Sequence, residues 1–472
     1  MQQIEPYQEQ SKRRKKRSRS HSGAGNVASI FSQGIDALLW CELIWIAFLA
    51  PLILFSGTFL AEEFLPVLIF ALFLFWPIRL LTGRKLLFAS RHNGLLLILL
   101  LWVPIPLLVS TNRMLSWQAI GYLLLGITLY VAITSWTLTQ RRPELIALAI
   151  CVVGIALAVV GPRLIQRVPT KLFDTSDLSI AVENSQIDSD ESINSNVLAG
   201  GLLLSVPFLL SFVLVPSAFM RKKNDAASRG MGIFVSVFSV VALLGVVAVI
   251  GLTQSRGAYI ATAIVACLVF ILRWPRTWPI ITLVLLAGAG LVYWIEIDSI
   301  IGYSAYDNSI NSFSGRTDIW QRAVELIIDF PFTGAGIGTF GEVVPNLYPY
   351  AVFPLTPTGR RFQIPHAHNL FLQIGVDLGI LGIITVVGIY LSSLMLFIRT
   401  YAKSIKAQKH NLVYALSVGG IGAITTIWIH GIFDAVTWGT KLAFLPWLVI
   451  ALAVLLQQPH LEPRRKRSSS TK

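Results

Sequence analysis

The sequence predicts an all-α polytopic membrane protein of about twelve transmembrane helices, with one large extracytoplasmic loop between spans nine and ten. Three observations carry that class. Of 472 residues, 54% are hydrophobic and 13% charged, against roughly 25% charge in an average soluble protein, and mean hydropathy is +0.68. Apolar runs long enough to cross about 30 Å of hydrocarbon recur along the whole chain. Lys and Arg then alternate in density from one inter-run segment to the next, as expected when basic residues beside spans are retained in the cytoplasm.

The runs lie at 36–56, 63–82, 93–110, 117–136, 143–161, 197–219, 231–252, 257–272, 279–296, 369–398, 412–432 and 442–457. They do not alternate apolar and polar residues, so helices are the expected spanning form and barrel strands are not. With the N-terminal tail inside, 28 of the 38 Lys and Arg fall on the inner side. An odd error in the number of runs would scramble that pattern, so both termini are expected in the cytoplasm. The first run is too long for a typical cleavable signal core and reads as a retained anchor.

These spans divide the chain into a basic cytoplasmic tail at 1–35, an N-terminal bundle of about nine spans at 36–296 and an extracytoplasmic loop at 297–368. A C-terminal bundle of about three spans at 369–457 and a second basic tail at 458–472 complete it. The net charge of +14 comes largely from the two tails, so it is explained by topology and predicts contact with membrane lipids rather than nucleic acid. Cys41, Cys151 and Cys267 each sit inside an apolar run, which excludes a disulfide scaffold.

Polar chemistry concentrates in the outer segments. The first long one, 162–196, is acidic in its second half, and the largest, 297–368, is too long to be a mere connection. Within it Ser314-Gly315-Arg316-Thr317-Asp318 reads as a helix start with Ser314 as N-cap, followed by Ile319, Trp320, Ala323, Val324 and Ile327 at helical spacing, with Pro331 as the stop. Arg316 at such a start is a candidate phosphate ligand, because free backbone N–H groups gather around a cationic side chain. The stretch from Gly334 to Gly341 contains G-x-G-x-x-G from Gly336, yet no strand precedes it and no strand–helix–strand unit surrounds it. It reads as a tight turn, with Gly336 and Gly338 letting backbone approach a partner or anion.

His366-Ala367-His368-Asn369 opens the tenth span. Two histidines at i and i+2 suit a metal, but no H-E-x-x-H arrangement or cysteine pair completes a set; a neutral imidazole accepting a proton or orienting a hydroxyl needs no further ligand, and a structural cap of the helix is the plain alternative. Arg256 lies in a turn so short that it sits at or below the outer surface, where an unpaired cation costs about 2.5–3.5 kcal/mol. An anionic lipid-linked ligand would meet it, and snorkelling to head groups is the alternative. His430 and Asp434 close the eleventh span on the same side, one helical turn apart.

Ser255-Arg256-Gly257, Ser314-Gly315-Arg316 with Ile319-Trp320, Pro331 with Gly334, Gly336 and Gly338, and His366-Ala367-His368-Asn369 with Leu372-Gln373 and Gly379-Ile380-Leu381-Gly382 together resemble the O-antigen ligase and polysaccharide polymerase superfamily. The resemblance implies a glycosyltransferase of the bacterial cytoplasmic membrane. It would move a glycan from a polyprenyl diphosphate carrier to a hydroxyl of a glycan, lipid or protein acceptor, outside the membrane, without metal, cofactor or ATP. By that analogy Arg256 and Arg316 hold the diphosphate and His368, or His366, acts on the acceptor hydroxyl, with Asn369, Gly336, Gly338, His430 and Asp434 in support. Ligase, repeat-unit polymerase and protein O-oligosaccharyltransferase all stay open.

Two rivals remain. A metal-dependent transferase would draw on Glu62-Glu63 or Asp188-Ser189-Asp190 as oxygen ligands. A transporter of a lipid-linked glycan or small anion would place ionisable groups near the midplane in repeated halves. Only Glu42 and Asp377 are acids well inside a span, and no repeat relates the halves.

Overall fold

Apolar side chains dominate the runs described above, and a backbone surrounded by apolar matter satisfies its own N–H and C=O groups most simply as helix. The computed structural model describes residues 34, 38–83, 85–87, 90, 92–165, 193–220, 226–294, 313–351, 364–408 and 411–458. Among these the regular structure is all helix, with a lone bridge between Ile165 and Ile193 in place of any strand. Both basic tails, the acidic stretch with Asp188 and Asp190, and parts of the 297–368 segment lie outside the described residues.

In chain order the helices used below are α1 (Leu38–Leu54), α2 (Glu62–Leu81), α3 (Asn93–Val109), α4 (Arg113–Ser135), α5 (Glu144–Leu164) and α6 (Ser195–Leu214). They continue with α7 (Ala226–Thr253), α8 (Arg256–Arg273), α9 (Trp278–Trp294), α10 (Phe313–Asp329), α11 (Phe340–Leu347), α12 (Leu370–Lys406), α13 (Leu412–Phe433) and α14 (Leu445–Leu455). Eight are long and apolar enough to cross a membrane: α2, α4, α5, α6, α7, α8, α12 and α13. The others among the expected runs are shorter for visible reasons. Pro104 and Pro106 interrupt α3. The expected run 442–457 yields only the 11 residues of α14, because turns occupy the chain up to Phe444. Every residue of α14 is buried, packed on α4, α12 and α13. By contrast, α7 and α9 leave long rows of Val, Leu, Ile and Phe exposed, the surface expected of helices facing lipid.

The feature that positions the site is a break in α12. Gly379 adopts a φ of 72°, left-handed backbone inside an otherwise continuous helix, and a Cβ there would lie 2.5 Å from the carbonyl oxygen of Pro331. Only glycine fits such a conformation without strain. The break frees backbone groups that must find partners when buried. Ile380 N–H donates to Pro331 O at 2.8 Å, Ala335 N–H to Val376 O at 2.8 Å, and the Trp102 indole to Leu378 O at 3.0 Å. The expected tenth span is thus two pieces, a short buried segment from Leu370 and a long shaft to Lys406, with the 331–335 turn clamped at the junction.

Glycines continue that turn. Gly334, Gly336 and Gly338 have φ of 67°, 108° and 79°. Ser116 Oγ donates to Ile337 O at 2.6 Å, and Glu342 accepts from Asn112, the N-cap of α4, at 2.9 Å. A second apolar cluster of Ile319, Ala323, Leu326, Phe340, Val344 and Val376 lies beneath, joining α10 and α11 to α12. The amphipathic helix expected after Arg316 is therefore present, with Ile319 and Ala323 inward. Val324 is exposed instead, and Leu326 takes its place in the buried face. The helix begins at Phe313, one residue before the expected cap Ser314.

Candidate active site

Four chain segments meet at the end of the bundle where α12 starts and α13 stops. Asn369 is the N-cap of α12: its side chain accepts from Phe371 and Leu372 N–H at 3.0 and 3.1 Å, satisfying donors that a helix start leaves open. Its amide donates in turn to Ile432 O at 3.1 Å, which ties the histidine stretch to the last turn of α13. Gly257 at the start of α8 packs on Phe433, where a Cβ would come within 2.6 Å of the phenylalanine Cβ. Arg316 Nη1 donates to Phe433 O at 2.9 Å. The carbonyl end of α13, electron-rich by virtue of its unpaired C=O groups, is thereby met by a guanidinium.

Immediately after that helix end stands Asp434, almost fully buried. His366 Nε2 lies 3.0 Å from its Oδ1 in a hydrogen bond. His368 Nδ1 is 3.4 Å from the same oxygen, a longer, electrostatic contact. His368 occupies left-handed backbone at a φ of 47°, and the two rings stand 4.2 Å apart between centroids. Such strain is retained where surrounding structure fixes it, and here the cap at Asn369 follows directly.

The electrostatics follow from burial and neighbours. Burial holds His368 below the ordinary histidine range, aided by His366 and Arg316 and opposed by Asp434. Asp434 is pulled well below the carboxylate range: burial raises it, but the two histidines more than offset that. Burial lowers Arg316, Asp434 raises it, and Arg256 is near enough to lower it again. Arg256 itself is exposed at the first position of α8. Arg316 thus feels both the Asp434 carboxylate and the Arg256 charge, and with two guanidiniums to one carboxylate there is an excess of positive charge suited to an anionic ligand.

His366, His368 and Asp434 also offer one ligand atom each within 4.8 Å of one another, a set that could hold a divalent metal. The carboxylate missing from the sequence pattern is supplied by Asp434, 68 residues beyond His366. Arg316 and Arg256 oppose a cation there by like-charge repulsion, so the donor set alone does not favour a metal. Glu62 and Glu63, the other acids weighed as ligands, begin α2 and belong to no metal-competent group among the described residues.

The remaining expected residues are placed as follows. His430 is buried in the last turn of α13, in a crevice shared with Gly200, Thr426, Asp434 and Thr437. Gly336 and Gly338 press on the start of α4, where a Cβ would come within 2.8 Å of Ser110 and 3.1 Å of Leu115 O respectively. Gly338 N–H donates to Asp377 Oδ1 at 3.1 Å. Of the two acids inside spans, Glu42 pairs with Arg79 and Asp377 is hydrogen-bonded by three donors, so both are held by local partners.

Residues 238–387 match the family model described as O-Antigen ligase. No curated protein matches the chain. The matched stretch holds Arg256, Arg316, His366 and His368, while His430 and Asp434 lie beyond it and join the cluster through the fold. The matched stretch, about a third of the chain, thus supports the likeness to the O-antigen ligase superfamily that the motifs carry.

Proposed function

We propose that this protein is an O-antigen ligase-like glycosyltransferase of the bacterial cytoplasmic membrane, with twelve spans, cytoplasmic termini and an extracytoplasmic site. It transfers a glycan from a polyprenyl diphosphate carrier to an acceptor hydroxyl. The observation that carries this reading is the convergence of Arg316 and Arg256 with the His366, His368 and Asp434 cluster at the end of α13.

The chemistry follows from that arrangement. His368 is kept neutral by burial, and its Nδ1 faces Asp434, so Nε2 is the nitrogen that accepts the proton of the acceptor hydroxyl. The oxygen forms its bond to the anomeric carbon as the bond from that carbon to the diphosphate breaks. The bonding pair leaves on the diphosphate, whose growing charge the two arginines stabilise. Asp434 balances the imidazolium that forms, while His366 fixes the carboxylate by its 3.0 Å bond. The phosphate–sugar bond supplies the driving force, so an extracytoplasmic site needs no ATP.

The test is incubation of purified protein with a polyprenyl diphosphate-linked oligosaccharide and a panel of glycan, lipid and protein acceptors in the presence of a chelator. Transfer to one acceptor class supports the reading and separates ligase, repeat-unit polymerase and protein glycosylation. Transfer only after divalent metal is restored would replace it with the metal-dependent reading that the His366, His368 and Asp434 set allows.

A further inference from the structure

A carboxylate in an apolar interior costs several kcal/mol unless its oxygens are matched by donors. Asp377, on the short first segment of α12, has no solvent exposure, and its two oxygens meet three N–H groups. Gly338 N–H donates to Oδ1 at 3.1 Å, the Gln373 amide to Oδ1 at 2.9 Å, and the Trp438 indole to Oδ2 at 2.8 Å. Every one of these neighbours is a donor, so the position calls for a group that only accepts. Asparagine has the same shape, but it would turn an N–H toward another N–H on at least one side.

What makes the network informative is where its three arms lead. Gly338 belongs to the turn that follows α10, the helix carrying Arg316. Trp438 stands four residues beyond Asp434, on the chain leaving α13. Gln373, one helical turn before Asp377, spends its own carbonyl on Ala367 N–H at 2.7 Å, between the two histidines. Ala367 is fully buried, and Gln373 and Trp438 are nearly so.

Resting on the transfer reading above, we propose that Asp377, acting through Gln373 and Trp438, is the positioning residue that sets His366 and His368 against Asp434. It touches no substrate. Arg256 stands at the start of α8 and Arg316 bonds to Phe433 O, and neither placement runs through a bond to Asp377. Losing the network therefore misaligns proton acceptance while leaving the grip on diphosphate intact.

The test compares Asp377→Asn and Gln373→Leu with the parent, as full-length proteins, using a polyprenyl diphosphate-linked oligosaccharide and the acceptor that the parent accepts. Turnover is expressed per folded molecule. Both variants are expected to lose at least about tenfold in kcat, with the donor KM within about threefold of the parent. Gln373→Leu cuts the link to Ala367 while leaving the bonds of Asp377 to Gly338 and Trp438, so it decides the matter should Asp377→Asn fail to fold. Parent-like kcat in folded Gln373→Leu, or a raised donor KM at unchanged kcat, overturns the proposal. A parent that transfers to no acceptor sinks the transfer reading and this inference with it, whereas an active parent with unaffected variants sinks the inference alone.

Discussion

Arg316 reaches across 117 residues of sequence to donate to the carbonyl oxygen of Phe433 at 2.9 Å, one residue before the carboxylate that meets both histidines. One guanidinium nitrogen is thus committed to the protein, and among the described residues no further hydrogen bond engages the rest of the planar fork. A lysine cannot divide itself in this way.

Arg316→Lys is accordingly expected to lower kcat/KM by roughly 10- to 100-fold, the equivalent of one lost charge-assisted hydrogen bond of about 1.5–3 kcal/mol. Steady-state transfer assays on folded protein provide the measurement. A near-parent value would mean that charge alone, without the fork, serves the diphosphate.

Acid should silence the enzyme later than an ordinary histidine would allow. His368 must be neutral to accept a proton, and burial, His366 and Arg316 hold it below the usual value despite Asp434. Activity is therefore fully present above that lowered value and lost as pH falls through it. The acid limb of the kcat/KM profile is expected below about 6.5; a limb at or above that point would contradict the assignment.

Asp434→Asn removes the charge that raises His368. The sign of the second effect is then fixed. Transfer should drop sharply, because an imidazolium loses its counter-charge, and the acid limb of the residual activity should move to still lower pH. A shift toward higher pH would show that another group sets the limb.

Gly379→Ala forces a Cβ into left-handed backbone and to within 2.5 Å of Pro331 O. The backbone conformation alone costs on the order of 1–3 kcal/mol. Thermal unfolding in detergent should show a lowered midpoint, and an unchanged one would mean that the break relaxes freely.

Sidedness is open to direct labelling. In a background lacking Cys41, Cys151 and Cys267, Leu347→Cys at the exposed end of α11 should react with an impermeant thiol reagent in intact cells. Gln408→Cys, beyond the far end of α12, should react only after permeabilisation. The reverse pattern would put the histidines in the cytoplasm.

Much of this was legible in the sequence because membrane helices announce themselves locally. Apolar runs such as 117–136 and 412–432 became α4 and α13 within a few residues, and the arginine and histidine motifs stood out as polar groups at span ends. The break at Gly379 was hidden because Gly375 and Gly382 flank it in the same run, and nothing local marks which glycine leaves the helix. The contact of Asp434 with His366 and His368 joins two helix ends through tertiary packing, which no local spacing encodes. Asp377 was visible as an acid inside a span, but its three donors come from separate elements and become apparent only once these are folded together.

The kink also makes chain length a geometric constant. Between His368 and Gly379 the residues wind as helix, so adding or deleting one there would swing the imidazoles by about 100° and shift them by about 1.5 Å relative to the shaft. Leu372 and Ile374 in this interval can exchange for other apolar types, but its residue count cannot change, because the clamp at Pro331 fixes one end and the bond from Asn369 to Ile432 O fixes the other.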